Sequence, residues 1–102
     1  MNKSEFNSLV YNIVKEIPQG RVITYGQIAN LIGKPQCSRM VGQAMHNAPE
    51  KLKLPCHRVV NSQGRLVPGW IEQQNLLEAE GIFFKKNRCV NLDKYTWEDI
   101  IL

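Results

Sequence analysis

Phe6, Leu9, Val10, Ile13, Val14 and Ile17 recur at the i, i+3, i+4, i+7 spacing of one helix face, and Pro18-Gln19-Gly20 ends the pattern. A stripe of this length has to be covered by the rest of the chain. The spacing therefore predicts an amphipathic helix whose whole apolar stripe lies in a core. At 102 residues and 43% hydrophobic content, the chain can build one modest core but not two, so residues 1–102 are expected to form a single domain.

After the stripe, Arg21-Val22-Ile23 reads as a short extended piece, and Thr24 and Gln27 have the spacing of a helix capping box. Ile28, Leu31 and Ile32 would be the buried face of that second helix, with Gly33 placed to end it. A third helix is predicted from about Cys37 to His46, with Val41, Ala44 and Met45 inward and Ser38, Arg39, Gly42 and Gln43 as a compact polar face. Two short helices joined by Gly33-Lys34-Pro35-Gln36 have the outline of a helix-turn-helix, and equally that of an ordinary helical hairpin. The small residues Ser38, Gly42 and Ala44 would let the third helix approach a DNA groove closely. Further on, Val59-Val60 suggests a short strand, Asn61-Ser62-Gln63-Gly64 a turn, and Arg65-Leu66-Val67 a returning strand. Residues 70–80 read as a helix with Ile71, Leu76, Leu77 and Ala79 partly buried. Ile82–Phe84 and Cys89–Leu92 resemble a terminal hairpin.

Charge is distributed unevenly. Residues 18–71 carry Arg21, Lys34, Arg39, Lys51, Lys53, Arg58 and Arg65 against Glu50 alone, a local balance of +6, whereas the whole chain carries +4. A basic middle suits a polyanion, nucleic acid being the commonest, or is simply a solvated surface. Cys37, Cys56 and Cys89 are odd in number and lack CxxC spacing, so neither a disulfide framework nor a zinc site is indicated. The start MNKSEFNSLV lacks the basic and apolar regions of a signal peptide, and no apolar run approaches the roughly 18 residues of a membrane span. A cytoplasmic location is expected, or a nuclear one in a host with a nucleus, and a monomer without membrane association.

The chemistry concentrates in Leu54–Val60, LPCHRVV. A thiol attacks as its thiolate, and an adjacent imidazole or cation makes that form accessible. Cys56 has His57 and Arg58 beside it. Neighbouring side chains of a strand point to opposite faces, so His57 could act on Cys56 only across a bend or through a water. Pro55 makes a local irregularity plausible. The plainer alternative is that Cys56 is an inert core residue, as cysteines between a proline and a Val-Val run more often are. A catalytic histidine also needs an orienting carboxylate, for which Glu80 is a candidate and Glu78 its competitor.

RVITYGQIA, SRMVGQAM and LPCHRVV, in that order and spacing, strongly resemble the DNA-binding, active-site domain of the O6-alkylguanine-DNA alkyltransferases, over about residues 4–81. The resemblance implies a mainly α fold with short β elements, a winged helix-turn-helix that enters the minor groove of double-stranded DNA and rotates O6-alkylguanine out of the stack. Cys56 matches the residue that takes the alkyl group, His57 the base that acts on it through water, and Glu80 the carboxylate that orients this histidine. Tyr25 matches the tyrosine that assists rotation and protonation of the departing base. Arg39 matches the arginine that fills the vacated stack, and Gly42 the small residue packed on the groove. Ser38 and Arg58 complete the DNA-facing candidates, although in the family signature Arg58 looks structural. Such a protein reacts once and requires neither cofactor nor metal.

Several features depart from that pattern. Arg65-Leu66-Val67-Pro68-Gly69 stands in place of a longer loop containing tyrosine, and Ala48 stands where the family has asparagine, with Asn47 one place away. These features, the NSQG turn, the C-terminal NLDKYTW and the expectation of a single domain with no further N-terminal one resemble the alkyltransferase-like proteins. Members of that subfamily bind alkylated guanine and signal to nucleotide-excision repair, usually with tryptophan or alanine at the position of Cys56. The resemblance thus implies either irreversible alkyl transfer to Cys56 or non-enzymatic lesion recognition that recruits nucleotide-excision repair proteins. The loss of the tyrosine-containing loop hints at a roomier pocket.

Overall fold

The computed structural model describes residues 1–98. Helix α1 (Lys3–Val14) is capped by the Asn2 side chain, which accepts the Glu5 amide. Phe6, Val10, Ile13, Val14 and Ile17 are buried, whereas Leu9 is 38% exposed. Leu9 therefore leaves the predicted stripe, because the partner helices cover a narrower face than the periodicity offers. Strand β1 (Ile23–Thr24) follows, and helix α2 (Tyr25–Ile32) begins with the expected reciprocal capping box between Thr24 and Gln27. Lys34 N donates to Ala29 O and Gly33 N to Asn30 O, which closes α2 at Gly33. Leu31, expected in the core, is exposed.

A single 3-10 turn, Pro35–Cys37, leads into α3 (Ser38–His46), one residue later than the sequence suggested. Val41 and Ala44 are buried and Met45 is half-buried. Helices α1, α2 and α3 pack together as a helix-turn-helix unit. Strand β2 (Val59–Val60) runs parallel to β1, with Ile23 opposite Val59 and Thr24 opposite Val60. Successive strand residues face opposite sides. Ile23 and Val59 join the core of α1–α3, whereas Val22 and Val60 join a second cluster with Leu77, Ile82, Val90 and Tyr95. The strand pair is thus a partition between the helix-turn-helix and the C-terminal elements.

The returning strand expected at Arg65–Val67 does not form. The Asn61 side chain accepts the Gln63 and Arg65 amides, and Asn61 N donates to Arg65 O. The turn thus closes on itself and leaves a wing of irregular backbone. Helix α4 spans Glu72–Ala79. Leu77 and Gln73 are its buried residues, whereas Ile71 is 80% exposed and Leu76 43% exposed. The expected hairpin reduces to one antiparallel bridge between Phe84 and Val90, because Leu92 starts a short helix, α5 (Leu92–Tyr95). Beyond it, Trp97 N donates to Val22 O and Val22 N to Tyr95 O, so the C-terminal segment runs beside β1 and seats Trp97 in the first core. No helix among the described residues is long and apolar enough to cross a membrane.

Candidate active site

Pro55 (φ −77, ψ 63) turns the chain out of the extended path, and Cys56–Arg58 form one 3-10 turn. Arg58 N donates to Pro55 O, Cys56 N to Leu54 O, and Val59 N to Cys56 O. On such a turn successive side chains fan out by about 120° rather than alternating across a sheet. Cys56 accordingly faces one side, while His57 and Arg58 both reach the end of α4.

Their common partner is Glu80. Its Oε2 is 2.6 Å from His57 Nε2 and accepts Arg58 Nη2 at 2.8 Å, and its Oε1 accepts Arg58 Nε at 3.0 Å and Gly20 N at 2.9 Å. Arg58 Nη1 donates to Ile17 O at 2.8 Å. Glu80 is delivered there by the way α4 ends. Ile82 N donates to Leu77 O, Gly81 N donates to Glu78 O, and Gly81 takes the left-handed φ of 89 that this stop requires. Glu78 is exposed and takes no part. Burial pushes the Glu80 carboxyl upward, but the Arg58 guanidinium, the Gly20 amide and His57 outweigh it and hold the group down at about 2. An ionised carboxylate only accepts, so the His57 nitrogen facing it is N–H, which in the neutral imidazole makes Nδ1 the acceptor nitrogen.

On the other side of the turn Cys56 lines a cavity of about 250 Å³. Helix α2 contributes Tyr25 at its first position, and α3 contributes Gly42, Met45 and His46, which share one face at i, i+3 and i+4. The wing supplies Val67 and Trp70. Burial pushes the Cys56 thiol up, partly offset by a backbone hydrogen bond. Burial, and then the charge a Cys56 thiolate would carry, push the Tyr25 hydroxyl up as well. At neutral pH both groups keep their protons, and Tyr25 is a dependable hydrogen-bond donor. Among the described residues no hydrogen bond joins the Cys56 thiol to His57.

Ser38 and Arg39 stand exposed at the start of α3, and no hydrogen bond among the described residues engages the Arg39 side chain. A Cβ added at Gly42 would meet nothing within 4 Å, so the helix surface beside the cavity is open. Arg58 makes the structural contacts that the family signature implies for it. Its guanidinium is committed to Glu80 and the Ile17 carbonyl, which ties the Cys56–Arg58 turn to the segment after α1 and to the end of α4. The sequence reading missed His46, Val67 and Trp70 in the cavity, and Gln73 behind it. His46 was accessible through its helical spacing from Gly42, whereas the other three depend on the path of the wing.

Residues 5–82 match the family model described as the 6-O-methylguanine DNA methyltransferase DNA-binding domain. The chain belongs to this family. A DNA base-flipping protein of Vibrio parahaemolyticus is 40% identical over 92% of this chain and 97% of its own length. A methylated-DNA–protein-cysteine methyltransferase of Methanosarcina acetivorans is 43% identical over 76% of this chain and 52% of its own. The crystal structure of S. pombe Atl1 in complex with damaged DNA containing O6-carboxymethylguanine superposes with a TM-score of 0.83 and 38% identity, covering 96% of this chain and 99% of that one. Both branches of the family, base flipper and methyltransferase, are thus represented among its relatives.

Proposed function

We propose that this chain is a DNA-repair protein that binds the minor groove of duplex DNA, extrudes O6-alkylguanine into the cavity beside α3 and transfers the alkyl group to Cys56. The observation that carries this reading is the two-sided Cys56–Arg58 turn. It aims a thiol into a base-sized cavity while its next residue, His57, is held by an ionised Glu80. The thiol proton passes through a water to His57 Nδ1, Sγ forms a bond to the alkyl carbon, and the bond from that carbon to O6 breaks. The electron pair stays on the purine, which takes up a proton to become guanine. Tyr25, kept protonated by burial, donates to the purine as that charge develops. Arg39 occupies the gap in the base stack, and Ser38 and Gly42 pack on the groove. The resulting thioether is not hydrolysed, so each molecule reacts once, and no cofactor or metal takes part. A duplex bearing one O6-methylguanine, incubated with equimolar protein and digested to nucleosides, should show guanine restored. Persistence of the methylated base despite tight binding would rule out the transfer.

A second reading has its own support. Burial raises the Cys56 thiol, and among the described residues no hydrogen bond joins it to His57, which suits lesion recognition that recruits nucleotide-excision repair proteins, with Cys56 only lining the pocket. Under that reading Cys56→Ala retains both lesion affinity and protection of alkylated cells. Loss of protection with affinity intact favours transfer.

A further inference from the structure

Gln73, on the inner face of α4, is fully buried. Its Oε1 accepts the Val67 amide at 2.7 Å, and its Nε2 donates to His57 O at 3.0 Å and Val59 O at 3.3 Å. Trp70 N donates to Val67 O, and Gln73 N to Trp70 O, so the segment from Val67 to Gln73 is a closed unit resting on this one side chain. An aliphatic residue would have filled the same space without the desolvation cost of an amide, and the cost is met here only because all three polar contacts are made. Among the described residues, no other side-chain hydrogen bond ties residues 66–70 to the Cys56–Arg58 turn. The wing has no ladder of its own, so the place of its two cavity residues depends on that tie.

From this arrangement we infer that Gln73 is a positioning residue: it clamps the Val67–Trp70 wall against the turn carrying Cys56 and thereby sets the width of the cavity in which an extruded base is held. The inference rests on the base-binding reading above. Without the clamp the wall populates outward positions, and affinity for an extruded base falls by the fraction of molecules whose wall is in place. Affinity for undamaged duplex, which involves α3 and the outer surface, is unaffected.

The test is Gln73→Met, which keeps side-chain length and removes the amide. Two readouts are taken on the folded protein: the ratio of affinities for O6-methylguanine and undamaged duplexes, and fluorine NMR after fluorotryptophan labelling, with Trp97 as internal reference. The ratio should fall about tenfold, the scale of losing one buried hydrogen-bonded tie. The Trp70 resonance should shift or broaden while that of Trp97 stays. A merely structural role would lower the melting temperature and move neither readout, so an unchanged ratio with an unchanged Trp70 resonance overturns the inference. If the wild-type protein shows no lesion preference, the base-binding reading fails, and the Trp70 resonance still decides whether Gln73 holds the wall. If Gln73→Met does not fold, amide exchange of the wild-type protein decides. The Val67 amide should exchange about tenfold or more slowly than that of Leu66, and equal rates would show that the clamp is not closed in solution.

Discussion

Glu80→Gln tests the hub that holds the Cys56–Arg58 turn. The carboxyl is brought from an ordinary 4.5 to about 2 in a side chain only 9% exposed, with Arg58 17% exposed beside it. At about 1.4 kcal/mol for each tenfold change in proton affinity, this corresponds to about 3 kcal/mol of stability. The folded-state value is the depressed one, so the contribution is complete above about pH 4.5 and is lost as the pH falls toward 2. The amide that replaces the carboxylate in this variant would offer one acceptor where four donors now converge, and it would leave Arg58 without a counter-charge. Urea denaturation of both proteins between pH 7 and 2.5 is the assay. At pH 7 the variant should be less stable by about 3 kcal/mol, and the gap should close on acidification as the wild-type carboxyl is protonated. Parallel curves with a constant gap, or no gap at neutral pH, would refute the assignment of Glu80 as an ionised hub.

Other perturbations separate the remaining elements. Gly64 has a φ of 82 and its backbone lies against Val90, where a Cβ would overlap the carbonyl. Gly64→Ala should therefore cost at least about 2 kcal/mol, read as a drop in melting temperature. Arg39→Ala should weaken lesion-duplex binding by about tenfold or more with no change in thermal stability, because nothing in the described residues engages that side chain. Tyr25→Phe should leave lesion affinity nearly unchanged while slowing single-turnover transfer by about a hundredfold, the range expected for loss of a positioned proton donor. Equal slowing of binding and transfer would instead assign the hydroxyl to base extrusion.

Much of the helix-turn-helix was legible because its signals are local. The stripe of α1, the Thr24–Gln27 capping box and the stop at Gly33 each depend on residues a few places apart, and tertiary packing only trimmed them at Leu9 and Leu31. The turn at Cys56 was harder to read. Extended alternation was the natural reading before Val59-Val60, yet Pro55 makes a 3-10 turn that lets His57 and Arg58 share a partner. Glu80 was singled out over Glu78 only by resemblance to a family, since composition and spacing treat both as helix-end acids. The wing was misread because the Asn61 side chain satisfies the amides that a returning strand would have paired. Gln73 was read past altogether: a polar residue in a polar helix looks solvent-facing until three distant backbone groups converge on it.

Transfer of the alkyl group from DNA to Cys56 is tested directly by mass spectrometry of the peptide containing Cys56, after a single incubation with duplex carrying isotopically labelled O6-methylguanine. One labelled methyl on Cys56, none on Cys37 or Cys89, and no further turnover with fresh DNA is the predicted result. An unmodified Cys56 peptide recovered from a protein saturated with lesion DNA would contradict the account and leave lesion recognition as the function of this site.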